Sequence, residues 1–213
     1  MQPTEDTREP VKLVVVSAGL SRPSSTRLLA DRLSEATTKH LDGTGRTTDV
    51  RVVELRDLAT EIANNFVTGF AGGALREVID AVTEADGIIA VTPVFTASYS
   101  GLFKSFFDLV EPTALEGKPV LIAATGGTAR HSLALEHAMR PLFAHLRTVV
   151  VPTAVFAASE DWGAGDAQTE GLPARIDRAA GELAALLANR PRTTEPSVGV
   201  SPFEQQLASL GLD

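Results

Sequence analysis

Apolar runs alternate along this chain with segments in which apolar residues recur at helical spacing. Five runs rich in β-branched residues predict β-strands, at 12–17, 50–55, 87–92, 118–125 and 148–156. Helical spacing predicts helices at 25–39, 73–84 and 171–189. The segment 56–72, which contains NNFVTGFAGG, is expected to be a long loop with room for a short helix.

Several of these strands are unbroken apolar runs rather than alternating ones, which is typical of strands buried on both faces of a parallel sheet. Their alternation with helices predicts a doubly wound α/β fold. A five-stranded parallel sheet of this kind suits the flavodoxin-like order 2-1-3-4-5. Right-handed crossovers then place the carboxyl ends of all strands along one edge, where such sheets bind ligands. The loops after strands one, three and four are therefore the candidates for a site.

The length of 213 residues fits a single domain with a large core. We predict one flavodoxin-like domain over 1–190. The remaining segment, 191–213, is rich in Pro, Ser and Thr and is predicted to be a tail that is mobile or docks on the domain.

Composition narrows the classes of protein and site. The chain is 44% hydrophobic and 22% charged, and no apolar run approaches the roughly 20 residues that cross a bilayer. Its polar amino terminus lacks an apolar signal-peptide core, so we expect a cytoplasmic protein without a membrane partner. The chain has no cysteine, which excludes disulfides and thiolate sites, and its net charge of -8 argues against nucleic-acid binding. The four histidines form no metal-binding pair, and we expect surface or core roles for His40, His131, His137 and His145.

The loop after strand one, SAGLSRPSST, carries five hydroxyls in ten residues, at Ser17, Ser21, Ser24, Ser25 and Thr26. It contains a single glycine and no GxxxxGK[ST], so it is neither a dinucleotide fingerprint nor a P-loop. Hydroxyls at a helix N-terminus suit the three free oxygens of a terminal phosphomonoester. The alternative is plain N-capping of the helix by Ser24 or Ser25.

The loop after strand three begins TPVFTASYSG. Because Pro93 cannot continue a hydrogen-bonded ladder, we expect the strand to end there and to expose Val94, Phe95 and Thr96 at the sheet edge. An aromatic side chain beside exposed backbone suits a flat heteroaromatic ligand.

The helix that follows this loop carries a wide apolar surface, formed by Leu102, Phe103, Phe106, Phe107 and Val110. One explanation is a helix buried in the core. The explanation that we favour is that one side packs on the sheet and the other on a partner subunit.

The loop after strand four, ATGGTARHS, contains paired glycines. Such glycines let a ligand approach the backbone closely, or they form a tight turn that needs a positive φ. The position of the loop, beside the other two loops, favours a ligand.

Taken together, SRPSST, TPVFTASYSGLFK and ATGGTARH resemble motifs of the NADPH-dependent FMN reductases of the flavodoxin-like superfamily, over about residues 12 to 160. The second segment matches the family pattern TPVY-x-ASYSG-x-LK almost residue for residue. The chain is most similar to the branch that supplies reduced flavin to two-component monooxygenases of the luciferase-like or sulfonate-cleaving type.

The resemblance implies three groups of flavin contacts. The FMN phosphate would be held by Ser17, Arg22, Ser24, Ser25 and Thr26. The isoalloxazine would be lined by Pro93, Val94, Phe95 and Thr96, and approached from the last loop by Thr125, Gly126 and Gly127. The chain departs from the family pattern at Phe95, where Tyr is usual, and at Thr96, where Lys or Asn is found.

The resemblance also implies an oxidoreductase that uses FMN and NADPH or NADH, in which the flavin carries the chemistry and no protein side chain is a catalytic group. The implied partners are a second copy, in a homodimer or homotetramer through the helix at about 98–110, and a flavin-dependent monooxygenase that receives reduced FMN. The alternatives are an NAD(P)H:quinone or azo reductase with bound FMN and a non-enzymatic flavodoxin-like electron carrier.

Four further residues receive hypotheses. Tyr99 is a candidate for a π-bulge in the interface helix, and Trp162 is either a flap over the site or a surface-packing residue. Arg130 either meets a phosphate of the nicotinamide nucleotide or is a solvated surface charge. His131 matches a family position.

Overall fold

The computed structural model describes residues 9–163 and 171–189. Within these ranges, the seven strands are β1 Val11–Ser17, β2 Thr48–Glu54, β3 Gly87–Phe95, β4 Ser98–Tyr99, β5 Pro119–Gly126, β6 Val149–Val150 and β7 Val155–Ala158. The α-helices are α1 Ser25–Asp42, α2 Ala59–Thr68, α3 Gly73–Glu84, α4 Gly101–Phe107, α5 Arg140–His145 and α6 Leu172–Asn189. A π-helical turn, Leu135–Met139, leads directly into α5.

The strands form one sheet in the order β2-β1-β3-β5-β6, with β7 also paired to β5 and β4 paired to β3. All pairs are parallel except β3 with β4. The fold is therefore the predicted flavodoxin-like doubly wound α/β fold, and the predicted order 2-1-3-4-5 is confirmed with β6 and β7 together in the fifth position.

Two apolar layers cover the sheet, which explains why its strands are unbroken apolar runs. On one face, Val15 and Ile89 pack against α1 and α6, which contribute Leu33 and Leu183. On the other face, Val14, Val16 and Ile88 pack against a layer that contains α3, α4 and α5. Because successive side chains of a strand point to opposite faces, each central strand must be apolar at every position.

The segment 56–72 contains a helix, for which the prediction left room, but α2 occupies ten of its residues, so the segment is mainly helical and not a long loop. Only Ile62 of this helix is buried, so the segment carries almost none of the periodic burial that makes a helix visible in a sequence. Gly69 ends the helix at φ 75, in the left-handed conformation typical of a helix carboxyl cap.

The fifth strand was predicted as one segment, 148–156, and the structure divides it into β6 and β7. The interruption lies at Pro152, which has no backbone N–H to give to a ladder. The next amide, of Thr153, donates to the carboxylate of Glu182 at 2.7 Å instead of to a strand. Arg140 donates to the carbonyls of Val151 and Pro152, so side chains satisfy the backbone of the break.

The helix predicted at about 98–110 is shorter, since α4 spans Gly101–Phe107. Tyr99 lies in β4, and the π-helical turn of the described residues lies at Leu135–Met139, so the hypothesis of a π-bulge at Tyr99 is wrong. Residues 191–213 lie outside the described residues, and the domain boundary at 190 stays a prediction. No helix within the described ranges is long and apolar enough to span a bilayer.

Candidate functional site

The three loops that the sequence singled out lie at the carboxyl edge of the sheet. Ser17 ends β1 and pairs with Val91 of β3, while Pro93 near the end of β3 pairs with Thr125 near the end of β5. Since β3 lies between β1 and β5, the loops after these strands are neighbours.

The loop after β1, which we call the first loop (residues 17–26), is closed by a helix cap. Ser24 is the N-cap of α1, and its Oγ accepts a hydrogen bond from the amide of Arg27 at 3.2 Å. A Cβ added to Gly19 would lie 2.2 Å from this same oxygen. Gly19 is therefore required for the loop to fold over its own cap, a close approach that no other residue permits.

One hydrogen bond joins the first loop to the loop after β5. The hydroxyls of Thr26 and Thr125 are 2.8 Å apart, and both residues are buried, at 3% and 4% exposure. A buried hydroxyl without a partner is costly, so each threonine depends on the other. This buried hydrogen bond thus fixes the first loop and the loop after β5 relative to each other.

The hydroxyl of Ser17 has a different environment. The residue is 1% exposed, and its Oγ has no hydrogen-bond partner among the described residues. Buried polar groups are nearly always hydrogen-bonded, and an exception calls for a ligand or a water. An unsatisfied hydroxyl at the end of β1, where the first loop begins, fits an anion bound by that loop, and this is the observation on which the fit of a phosphate can be tested.

Charged side chains tie the first loop and the start of α1 to the end of β2 and the segment after it, and of these the sequence predicted only Arg22 as a site residue. Arg22 is 3.1 Å from Asp57, Arg27 is 2.7 Å from Glu54, and Arg56 donates to the carbonyl of Ser21. A hydrogen bond to Asp31 raises the pKa of the Arg27 guanidinium above its ordinary value, so this tie stays charged.

The segment ELRDL could have predicted these contacts, because it places charged residues of both signs directly after a strand. Arg22 itself remains accessible, with 73% of its side chain exposed. Ser21 and Ser25 are also exposed at the surface of the loop.

The loop after β3 is a β-hairpin rather than the end of a strand. β3 continues through Pro93 to Phe95, turns, and pairs with β4, with Val94 opposite Tyr99. The two turn residues, Thr96 and Ala97, have φ values of 48° and 67°. Two left-handed residues make a type I′ turn, which normally uses Asn-Gly, and Thr and Ala hold that conformation at a cost of about 1–3 kcal/mol each.

The base of the hairpin is fixed by a buried polar contact. The amide of Ser100 donates to the hydroxyl of Thr92 at 3.0 Å, and Ser100 in turn caps α4 by accepting from the amide of Phe103 at 3.2 Å. At the tip, Phe95 is 48% exposed although it is a large aromatic residue. The hairpin thus presents an aromatic ring on a rigid support at the sheet edge.

The glycines of the third loop, 124–132, have different roles. A Cβ on Gly126 would lie 2.8 Å from the ring of Phe156, so this glycine is needed for packing between β5 and β7. A Cβ on Gly127 would meet nothing within 4 Å, so the backbone there borders open space. Beyond it, Arg130 and His131 are exposed in a short turn.

Trp162 packs rather than covering the site. Arg32 lies over its ring, 5.0 Å from the centroid, and the ring contacts the apolar layer of α1 and α6. This supports the surface-packing hypothesis for the described part of the segment, and residues 164–170 lie outside the described residues.

The phenylalanines of α4 are core residues of the chain itself. Phe103, Phe106 and Phe107 are at most 2% exposed, and Phe107 packs edge-on against Phe143 of α5 at 5.0 Å between centroids. The width of the apolar surface on α4 therefore comes from a second helix of the same chain. The argument that this width requires a partner subunit is wrong.

Two other features remain on that side of the molecule. A groove of about 600 Å³ runs between α4 and α5 and is lined by residues that include Tyr99, Lys104, Leu109 and His137. On α2 and just after it, Phe66, Val67 and Phe70 form an apolar patch, with Val67 and Phe70 more than 80% exposed. Within residues 9–163 and 171–189, no three side chains are grouped to hold a metal ion.

The chain is similar to proteins of known family and structure over a range that contains all three loops. A family model described as NADPH-dependent FMN reductase matches residues 11–163. The chain is similar to an FMN reductase (NADPH) of Pseudomonas aeruginosa, with 39% identity over 181 residues that cover 85% of this chain and 95% of that protein. It is similar to the NADH-dependent FMN reductase SfnF of Pseudomonas fluorescens, with 37% identity over 178 residues, or 84% and 92% of the two chains. An oxidoreductase of known structure from Corynebacterium diphtheriae is 47% identical and superposes with a TM-score of 0.82, covering 85% of this chain and 99% of that one.

Proposed function

Because the chain belongs to the NADPH-dependent FMN reductase family, we propose that its three loops at the carboxyl edge of the sheet form the FMN site of an NAD(P)H-dependent FMN reductase. Bound FMN would supply the redox chemistry, as the acceptor of the hydride that the reduced nicotinamide gives up. The observation that carries the proposal is the buried hydrogen bond between Thr26 and Thr125, which fixes the first and third loops as one support.

In the proposed site, the first loop binds the phosphate. The amides of Ser25 and Thr26 lie in the first turn of α1, where backbone N–H groups have no helical partner and favour an anion. Ser24 accepts a hydrogen bond from the helix, so its own O–H remains available to donate. Ser17 supplies the buried hydroxyl that lacks a partner, and Arg22 supplies charge after it exchanges Asp57 for the phosphate.

The hairpin and the third loop enclose the isoalloxazine. Pro93, Val94, Phe95 and Thr96 provide one wall, in which the exposed ring of Phe95 contacts the flat heterocycle. Thr125, Gly126 and Gly127 provide the other wall, and the open space at Gly127 lets the flavin approach the backbone. These residues act by position, because the reaction needs no protein nucleophile or general base.

An anaerobic titration with NADPH, with and without added FMN, tests this function. We expect the flavin absorbance to bleach, and we expect saturable turnover of FMN under aerobic conditions. Turnover with quinones or azo dyes alone, or bleaching by an electrode but never by NADPH or NADH, would contradict the proposal. Neither alternative is favoured, because the matching family model and the similar proteins are FMN reductases.

We further propose that reduced FMN passes to a flavin-dependent monooxygenase, as the resemblance of the three motifs to that branch suggests, and that the enzyme acts in the cytoplasm, where NAD(P)H is produced. A coupled assay tests the transfer. We expect product formation by a two-component monooxygenase to depend on this reductase, FMN and NAD(P)H together. Omission of the reductase without loss of product would contradict it.

A homodimer or homotetramer through the side that carries α4 is also proposed. The groove between α4 and α5 and the apolar patch of Phe66, Val67 and Phe70 support it, because exposed apolar residues of this size commonly mark interfaces. Light scattering tests it against the chain mass of 22.4 kDa. We expect a multiple of this mass for the unmodified chain and a lower mass for the variant with Val67→Asp and Phe70→Asp. A monomeric unmodified chain would contradict the proposal.

A further inference from the structure

Five arginines, in the first loop, in α1, after β2 and in α6, are engaged in contacts within the chain. Arg22 pairs with Asp57 at 3.1 Å, and Arg27 pairs with Glu54 at 2.7 Å. The other three are Arg56, which binds Glu54, Arg175, which binds Asp161, and Arg32, which lies over Trp162.

Arg130 differs from these arginines. Its guanidinium makes no ion pair or hydrogen bond with any residue in 9–163 and 171–189, and the residue is exposed. Among the residues that the structure describes, the third loop therefore contributes a positive charge without a partner, while the other arginines named above are occupied.

The backbone that carries this charge is ordered by short-range contacts. The hydroxyl of Thr128 accepts from the amide of Arg130 at 3.3 Å, and the amide of Ser132 donates to the carbonyl of Ala129 at 3.0 Å. The loop begins at the end of β5, whose Thr125 is bonded to Thr26. The charge is thus fixed to the frame of the proposed flavin site, without being part of the first loop.

Arg130 follows a different strand of the sheet than the first loop does. The first loop follows β1, and β3 lies between β1 and β5, which sets the ends of β1 and β5 about 10 Å apart at ordinary strand spacing. The first loop already offers hydroxyls, helix amides and Arg22 to that phosphate. A phosphate for Arg130 would then come from the other substrate of the reaction, which is the nicotinamide nucleotide.

We propose that Arg130 binds the 2′-phosphate of NADPH and makes the enzyme prefer NADPH to NADH. This inference rests on the proposed function. The 2′-phosphate is the group by which the two nucleotides differ, and a guanidinium binds a phosphate through two parallel hydrogen bonds. In a chain with a net charge of -8, a dianionic group needs a local cation of this kind.

Steady-state kinetics with saturating FMN test the inference. For Arg130→Ala we expect kcat/KM for NADPH to fall about 10- to 100-fold, while kcat/KM for NADH stays within about twofold. Arg130→Lys should keep part of the preference, because it retains the charge without the planar fork. The control is Arg51→Ala, which removes an exposed arginine paired with Glu77 on the edge strand β2 and should change neither value.

Calorimetry of NADP⁺ and NAD⁺ binding to the FMN-loaded protein gives a readout independent of turnover. We expect Arg130→Ala to weaken NADP⁺ binding by the same factor and to leave NAD⁺ binding unchanged. Equal losses for both nucleotides would indicate a contact to the shared pyrophosphate and overturn the inference. An unchanged variant, or an unmodified enzyme without a preference for NADPH, would also overturn it. If neither nucleotide reduces FMN while NADP⁺ still binds more tightly than NAD⁺, the proposed function fails and this inference does not.

Discussion

The first loop and the β3–β4 hairpin lie side by side at one edge of the sheet, and different forces hold them. Side chains hold the first loop: a serine cap, a threonine pair, the ion pairs of Arg22 and Arg27 with acidic residues at the end of β2 and just after it, and Arg56, which donates to the carbonyl of Ser21. The hairpin is held by its backbone, which runs through two left-handed residues between paired strands. A loop held by side chains can exchange one of its partners for a ligand, whereas a hairpin held by backbone geometry keeps its shape with or without one.

The largest effect is expected where the first loop has no space to adjust. The substitution Gly19→Ala drives a methyl group into the Ser24 hydroxyl, which lies 2.2 Å from the added Cβ. We expect the free energy of unfolding to fall by about 2–3 kcal/mol, through loss of the cap and local overpacking. Urea unfolding measures it. The control Gly127→Ala, at a glycine bordered by open space, should change stability by less than about 0.5 kcal/mol.

The next effect concerns the hydrogen bond between the first and third loops. Thr26→Val or Thr125→Val alone leaves the other buried hydroxyl without a hydrogen-bond partner. Each substitution should therefore lower the free energy of unfolding by about 1–3 kcal/mol. The double variant should cost less than the sum of the two, because it leaves no unpaired group. A double-mutant cycle measures this coupling, and strictly additive losses would show that the two hydroxyls do not depend on each other.

Substitutions in the turn of the hairpin should raise the stability of the chain, whereas those in the loops lower it. Replacing Thr96 and Ala97 with Asn and Gly supplies the residues that a type I′ turn prefers, so we expect the unfolding free energy to rise by about 1 kcal/mol. Thermal unfolding measures it. Arg147→Gly is the matched control, since Arg147 also has a positive φ of 55° but lies before β6, away from the site. It should stabilise the chain without changing FMN affinity. Destabilisation by the Asn-Gly turn would contradict a backbone-held hairpin.

The smallest change in stability is expected at the exposed pair of Arg22 and Asp57. Arg22→Ala should alter the unfolding free energy by less than about 0.5 kcal/mol, yet weaken FMN binding about tenfold and reduce its salt dependence. Asp57→Asn should strengthen FMN binding about two- to fivefold, because it removes a competing carboxylate. Fluorescence quenching titrations measure both. Equal effects of the two substitutions on FMN affinity would show that the pair acts only on the fold.

The sequence predicted those parts of the fold that burial dictates. The central strands are apolar on both faces, so their runs are unmistakable, and the strand order followed from general rules of α/β topology. The extent of helix α2 was underestimated because Ile62 is its one buried residue. The split of the fifth strand was missed because its second half is as apolar as its first, and Pro152 alone marks the break.

The limits at the site have a similar physical origin. Hydroxyls and glycines in the first and third loops were predicted by residue type, and the structure brings Thr26 and Thr125 together. The hairpin was missed because Thr96 and Ala97 are not residues that signal a type I′ turn. The role of Arg56 was missed because a long-range contact from a side chain to a backbone carbonyl leaves no periodic pattern.

The ion pair between Arg22 and Asp57 has a consequence for the rate at which flavin leaves the protein. Asp57 lies 3.1 Å from Arg22, so this carboxylate competes with the FMN phosphate for the arginine that we propose binds the phosphate. When FMN dissociates, Arg22 re-forms its ion pair with Asp57 and does not remain unpaired, and this lowers the barrier to dissociation. FMN affinity then depends on the difference between two ion pairs of the same arginine, which suits an enzyme that, as we propose, passes reduced FMN to a second protein.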